Sequence, residues 1–120
     1  VREHLIDLNE TAGIRGSMIV TRDGMVVASR LGKGLDEEKV AAMASSIVVS
    51  TLKLLEARNL GEFSRFTLNA SHGKLVFCDT GATYLVVVLE KDIDLGPAAI
   101  EIRSAARRIQ DATRMTSVTE

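Results

Sequence analysis

The chain has 120 residues, 46% of them apolar and 26% charged, with a formal net charge of -1. That length suits one domain and is too short for two well-packed cores, and the near-neutral balance excludes a global basic field for nucleic acid or a membrane surface. Three Phe, one Tyr and no Trp leave few platforms for stacking bases, and a single Cys excludes an internal disulfide framework or a multi-cysteine zinc site. No apolar run reaches the roughly 20 residues of a membrane span, and no signal peptide is visible. A cytoplasmic location is therefore expected. The sequence opens at Val1 inside a helical pattern, so further native residues are expected to precede it.

The first segment, from Val1 to about Ala12, places Leu5, Ile6 and Leu8 among charges and predicts a short amphipathic helix stopped by Gly13. Two β-rich runs follow, Arg15 to Thr21 and Met25 to Arg30, around Arg22-Asp23-Gly24. They predict a hairpin in which Gly24 supplies the positive φ. Asp36 is positioned as an N-cap, with Glu37 and Glu38 in the first turn of a helix running to Arg58. Asn59-Leu60-Gly61 closes it, with Gly61 in the left-handed position. Three short strands are expected next, at Phe63 to Asn69, Lys74 to Thr80 and Thr83 to Glu90. The last helix runs from Pro97, as its first residue, to about Arg114. Ala98, Ile102, Ala105, Ile109 and Ala112 form its apolar stripe, and residues 115–120 form a polar, frayed tail.

The order α-β-β-α-β-β-β-α describes a single α/β (α+β) domain over residues 1–114. The strand Tyr84 to Leu89 is apolar on both faces, as in a central strand covered on both sides. A five-stranded, mainly antiparallel sheet is therefore expected, with the long helix on one face and the terminal helices on the other.

The long helix is apolar beyond what packing on one sheet requires. Val40, Met43, Ala44, Ile47, Val48, Leu52, Leu54 and Leu55 cover an arc of about 180°, whereas a sheet-packed helix needs about 100°. The opposite side carries Ala42, Ser46, Val49, Ser50 and Lys53. Its small residues recur every four positions, and no charge falls between Val40 and Leu52. This face points to packing against a partner, most simply a second copy. A helix buried on both sides within one domain is the alternative, although few elements remain to cover it.

Catalytic chemistry finds little footing. Cys78 lies in a predicted strand, far in sequence from any paired base except the turn residue His72, and reads as a packed structural thiol. His4 and His72 form no metal-ligand spacing. Gly32-Lys33-Gly34 lacks the spacing of a phosphate-binding loop and reads as a turn. Asp92 and Asp94 are accounted for by solvation and by capping of the last helix. Arg103, Arg107 and Arg108 form a basic patch on that helix, open to the helix dipole or to an acidic partner. No catalytic residue, metal or cofactor is expected.

Three features taken together carry a resemblance. They are the phrase Gly16-Ser17-Met18-Ile19-Val20-Thr21-Arg22-Asp23-Gly24-Met25-Val26-Val27-Ala28, the Ala/Ser-rich long helix, and Leu85-Val86-Val87-Val88-Leu89 ahead of Gly96-Pro97. In this order and spacing the sequence resembles the roadblock/LC7 family, including its MglB-like bacterial and archaeal branch, over nearly the whole chain. The resemblance implies a roadblock/LC7 (profilin-like) fold. It implies homodimers or heterodimers with a related subunit, whose long helices pair and whose third strands join edge to edge, here through Phe63, Arg65 and Thr67. It further implies binding of a Ras-like small GTPase without donated catalytic residues, or an adaptor role in a motor or scaffold complex. A small-ligand sensor or enzyme using Cys78, as the related profilin-like and longin-like folds would allow, is a third reading.

Overall fold

The computed structural model describes the backbone of residues 2–119 and the side chains of residues 2–113. In chain order the elements are α1 (Arg2–Asn9), β1 (Ile14–Thr21), β2 (Val26–Leu31), α2 (Glu37–Ala57), β3 (Arg65–Ala70), β4 (Gly73–Asp79), β5 (Thr83–Leu89) and α3 (Leu95–Thr119). The strands form one sheet in the order β2-β1-β5-β4-β3, and every neighbouring pair is antiparallel.

Local chemistry explains most of the boundaries. At the hairpin, Gly24 N–H donates to Thr21 O at 3.0 Å and Thr21 N–H to Met25 O at 2.8 Å, with Gly24 at φ +94°. This three-residue loop needs a left-handed residue at its end, and glycine takes that conformation without a Cβ penalty. Asp36 caps α2, its Oδ1 accepting from Lys39 N–H at 3.2 Å. The other end of α2 differs from the expectation. Asn59, not Gly61, follows the cap in the left-handed conformation, at φ +58°. Leu60 N–H donates back to Leu55 O and Asn59 N–H to Glu56 O, the paired bonds of a Schellman ending in which asparagine stands in for glycine. Gly61 is also left-handed, two residues further on.

α3 begins two residues earlier than expected. Asp94 Oδ1 accepts from Gly96 N–H at 3.0 Å, and Pro97 occupies the third helical position. Its missing N–H still costs nothing there, because the first four helical N–H groups lack an intrahelical partner. The helical backbone continues to Thr119, past Arg114. The side chains of the expected polar tail lie outside the described residues, as do Val1 and Glu120.

β5 is the middle strand, and Tyr84 to Leu89 are all buried. On one face of the sheet, Ile19, Leu85, Val87, Leu89, Val76 and Cys78 pack against Leu5 and Leu8 of α1 and against Ala98, Ile102, Ala105 and Ile109 of α3. On the other, Met18, Val20, Phe77, Tyr84, Val86 and Val88 pack against Ala44 and Val48 of α2. Asn9 locks α1 to the sheet. Its Oδ1 accepts from the buried Ser17 hydroxyl at 2.8 Å, and its Nδ2 donates to Arg30 O at 2.8 Å.

Phe77 is fully buried and stacks on Phe66 with ring centroids 4.5 Å apart. Phe77→Ala is expected to cost about 3–5 kcal/mol, the lost transfer energy plus a cavity that a sheet cannot collapse. The shift of the urea midpoint at constant m-value measures it.

Candidate interaction surface

α2 is sparsely covered. Only Ala44 and Val48 of its 21 residues are fully buried. Val40, Ala41, Ile47 and Leu52 contribute partly buried flanks. By length and composition alone α2 is apolar enough to cross a membrane, although serines and threonines interrupt its apolar run. Its geometry is that of a sheet-packed helix. It is capped by Asp36, has Ala44 and Val48 in the core, and its Glu37 accepts from the Ser29 hydroxyl of β2.

The residues expected to form a helix interface divide by exposure. Ala42, Ser46, Ser50 and Lys53 are exposed, while Val49 is half-buried and turned toward the hairpin at Gly24. Two further residues join this face. Met43 is 42% and Leu54 is 61% exposed. Both belong to the 180° apolar arc of the sequence. They lie about 100–120° around the helix from the buried Ala44 and Val48, on the part of that arc beyond what packing on one sheet requires.

The second half of this surface lies on the sheet. α2 makes its closest approach to β1 and β2, and toward β3 the same sheet face carries Phe66, 40%-exposed Leu68 and, in the loop before β3, half-buried Phe63. All four Phe and Tyr side chains of the chain join here. Phe63 stacks on Tyr84 at 4.5 Å and meets Phe66 edge-on at 4.8 Å, and Phe66 stacks on Phe77. A groove of about 850 Å³ runs between the hairpin turn at Arg22 and Asp23, the C-terminal half of α2 at Val49, Leu52, Lys53 and Glu56, and Glu62 of the loop that follows it. Arg22 spans its end. It pairs with Glu62, donates to Gly81 O at 2.9 Å and to Tyr84 Oη at 3.1 Å, and lies over the Tyr84 ring.

The three edge-strand candidates separate. Phe63 precedes β3 and belongs to the aromatic cluster. Arg65 and Thr67, opposite Cys78 and Val76, project to the other face of the sheet. β3 itself is an edge strand, and five of its six residues are exposed. The arginine patch also divides. Arg103 and Arg107 share a face of α3 at i and i+4, whereas Arg108 is about 100° further round; all three are exposed.

Cys78 and His72 are not brought together. Cys78 lies near the end of β4 and His72 in the turn before its start, about 20 Å apart at strand rise. Burial pushes the thiol pKa up from about 9 to about 11, against smaller opposing pulls from the Arg65 and Arg103 guanidinium groups. A thiol so placed stays protonated at neutral pH and is a poor nucleophile. Gly32 N–H is spent on Arg15 O at 2.8 Å, which makes that segment a turn and not a cradle. Among the described residues no three of His, Cys, Asp and Glu converge as metal ligands.

These features define a three-layer α/β domain with an exposed, largely apolar helix face. The Roadblock/LC7 domain model matches residues 1–90, and the chain belongs to the roadblock/LC7 family. Among similar sequences, the uncharacterized protein MJ1340 of Methanocaldococcus jannaschii is 36% identical over 106 residues, covering 88% of this chain and 93% of that protein. Among solved structures, MglB of Myxococcus xanthus superposes with a TM-score of 0.82 at 18% identity, covering 95% of this chain and 94% of that one. An MglB structure with a tetrameric arrangement gives a TM-score of 0.77 at 20% identity, covering 91% and 84%. At such identities the structural likeness shows the fold.

A raised thiol pKa stabilises the fold while the group is protonated. That contribution is fully present below about pH 9 and is lost as pH rises through about 11. Denaturant titrations of the wild-type chain against Cys78→Ala are expected to converge over that window. At pH 7 Cys78→Ala is expected to cost about 1 kcal/mol, the scale of one buried methylene-sized group.

Proposed function

We propose that the chain is a non-catalytic, dimeric regulator that binds a Ras-like small GTPase and modulates its nucleotide cycle. The observation that carries the dimer is the mismatch on the α2 face. One helix covers the β2–β1 side of the sheet, its own outer face is apolar and small, and Phe63 and Phe66 stand half-buried on the remaining side. A two-fold mate answers both needs at once, because an isologous contact brings each α2 against the other and over the uncovered half of the partner's sheet. The row Ala42, Ser46 and Ser50 lets the two helices approach closely, and α2 is about 31 Å long at 1.5 Å per residue. The exposed β3 edges offer backbone groups for continuing the sheet between copies. The tetrameric arrangement named for one MglB structure supports self-association as a habit of this fold.

The GTPase partner rests on family membership and on the MglB-like fold. A helical dimer surface that binds one arrangement of a GTPase's switch loops better than another shifts their population without donating a catalytic group. The same surface would also serve a purely structural adaptor.

Ser46→Glu with Ser50→Glu places two charges per copy in the strip while leaving the sheet core untouched. Sedimentation is expected to show dimer affinity lowered by at least about a hundredfold, since each buried charge lacks a partner. An unchanged dimer would place the interface elsewhere. For the regulatory role, a Ras-like GTPase loaded with GDP or a GTP analogue is captured on the immobilised chain. Retention in one nucleotide state and a several-fold change in hydrolysis rate are expected. A bound GTPase with unaltered turnover identifies an adaptor, and no retention in either state removes the GTPase partner.

A further inference from the structure

The face of the sheet opposite α2 has its own opening. α1 and α3 cover β1, β5 and part of β4, and beyond α3 the surface drops to β3. Two cavities meet there at Arg65. One is a narrow slot of about 130 Å³ walled by Val76, Leu95, Ala99 and Ile102, with Thr67 at its rim. The other is a shallower basin of about 410 Å³ bordered by Ser64, Cys78, Asp79, Arg103 and Ala106. Small residues keep the groove open, since Ala99 and Ala106 line its α3 wall. An apolar cavity of about 150 Å³ accommodates a benzene ring, so the slot takes one aliphatic side chain.

The charge of the groove is one-sided. Among the described residues, neither Arg65 nor Arg103 has an ion-pair partner, although both are exposed and both act electrostatically on Cys78. Arg107 extends the stripe one turn along α3. The single carboxylate on the rim, Asp79, is engaged by Gly81 N–H at 2.8 Å. A guanidinium presents a planar fork that matches a carboxylate. Single-stranded nucleic acid fits poorly, because every Phe and Tyr of the chain lies in the cluster on the opposite face and no stacking platform borders the groove. A flat lipid surface does not reach a recessed slot.

We propose that the groove between β3 and α3 is a second docking site, which takes an extended acidic peptide by seating one aliphatic side chain in the slot and its flanking carboxylates on Arg65 and Arg103. The site is complete within one copy of the chain and is independent of the α2 face.

Fluorescence anisotropy tests it with a labelled peptide carrying one leucine flanked by glutamates. Controls are the same peptide with glutamines and one with the leucine replaced by serine. Saturable binding that weakens with salt is expected, with about a tenfold loss for Arg65→Gln, for Arg103→Gln and for each control peptide. Both arginines are exposed, so unchanged thermal melting by circular dichroism confirms that the variants fold. Ser46→Glu with Ser50→Glu should bind the peptide as the wild type does, whatever its oligomeric state. Absence of binding, equal binding of the glutamine peptide, or wild-type affinity in the arginine variants overturns the proposal. So does loss of binding in the serine double variant, or capture of anionic lipid vesicles by a chain that ignores the peptide.

Discussion

The double-sided burial of β5 is the constraint on which the rest of this structure depends. A strand that runs Tyr84 to Leu89 without a polar residue needs apolar cover above and below. It sits in the middle of five strands, where its neighbours β1 and β4 share that need. α1 and α3 together supply the cover on one face, and Leu5, Leu8, Ile102 and Ile109 reach full burial there. On the other face a single helix does the same work with only Ala44 and Val48 fully inserted. Among the described residues no further helix lies on that face.

From this imbalance follow the properties of the interaction surface. An apolar helix with two buried residues exposes a neutral strip to water, and a sheet half without a helix leaves aromatic rings half-covered. Both deficits lie on the same face of the sheet, where Arg22 links the hairpin to Glu62, Gly81 and Tyr84. Contiguous exposed apolar surface is the common mark of an association site. The one thiol is buried, held protonated and remote from His72.

Much of this was legible in the sequence because it depends on local rules. The Asp23-Gly24 turn, the Asp36 cap and the two-faced apolar run of β5 each report their structure through steric or solvation preferences that act within a few residues. The boundaries that shifted did so where two local solutions compete. Asn59 tolerates the left-handed conformation nearly as glycine does, so the helix ended on the earlier of two permitted residues. Pro97 is permitted anywhere in a first turn, and Asp94 offered a cap that set the start. The inner line of α2 is a different case. A wide apolar arc does not state its own centre, and only contact with the sheet identifies Ala44 and Val48 as that line and leaves Met43 and Leu54 outside it.

By itself the sequence determined the element order, the antiparallel hairpins, the central strand and the excess apolarity of the long helix, since periodicity and turn chemistry are written in consecutive residues. Only the tertiary structure decided which part of the sheet α2 covers, that Phe63 joins an aromatic cluster and not an edge strand, and that Arg65 meets Arg103 across a groove while Arg108 turns away. Those relations link residues from separate elements, and they arise from how the layers pack, which no local preference encodes.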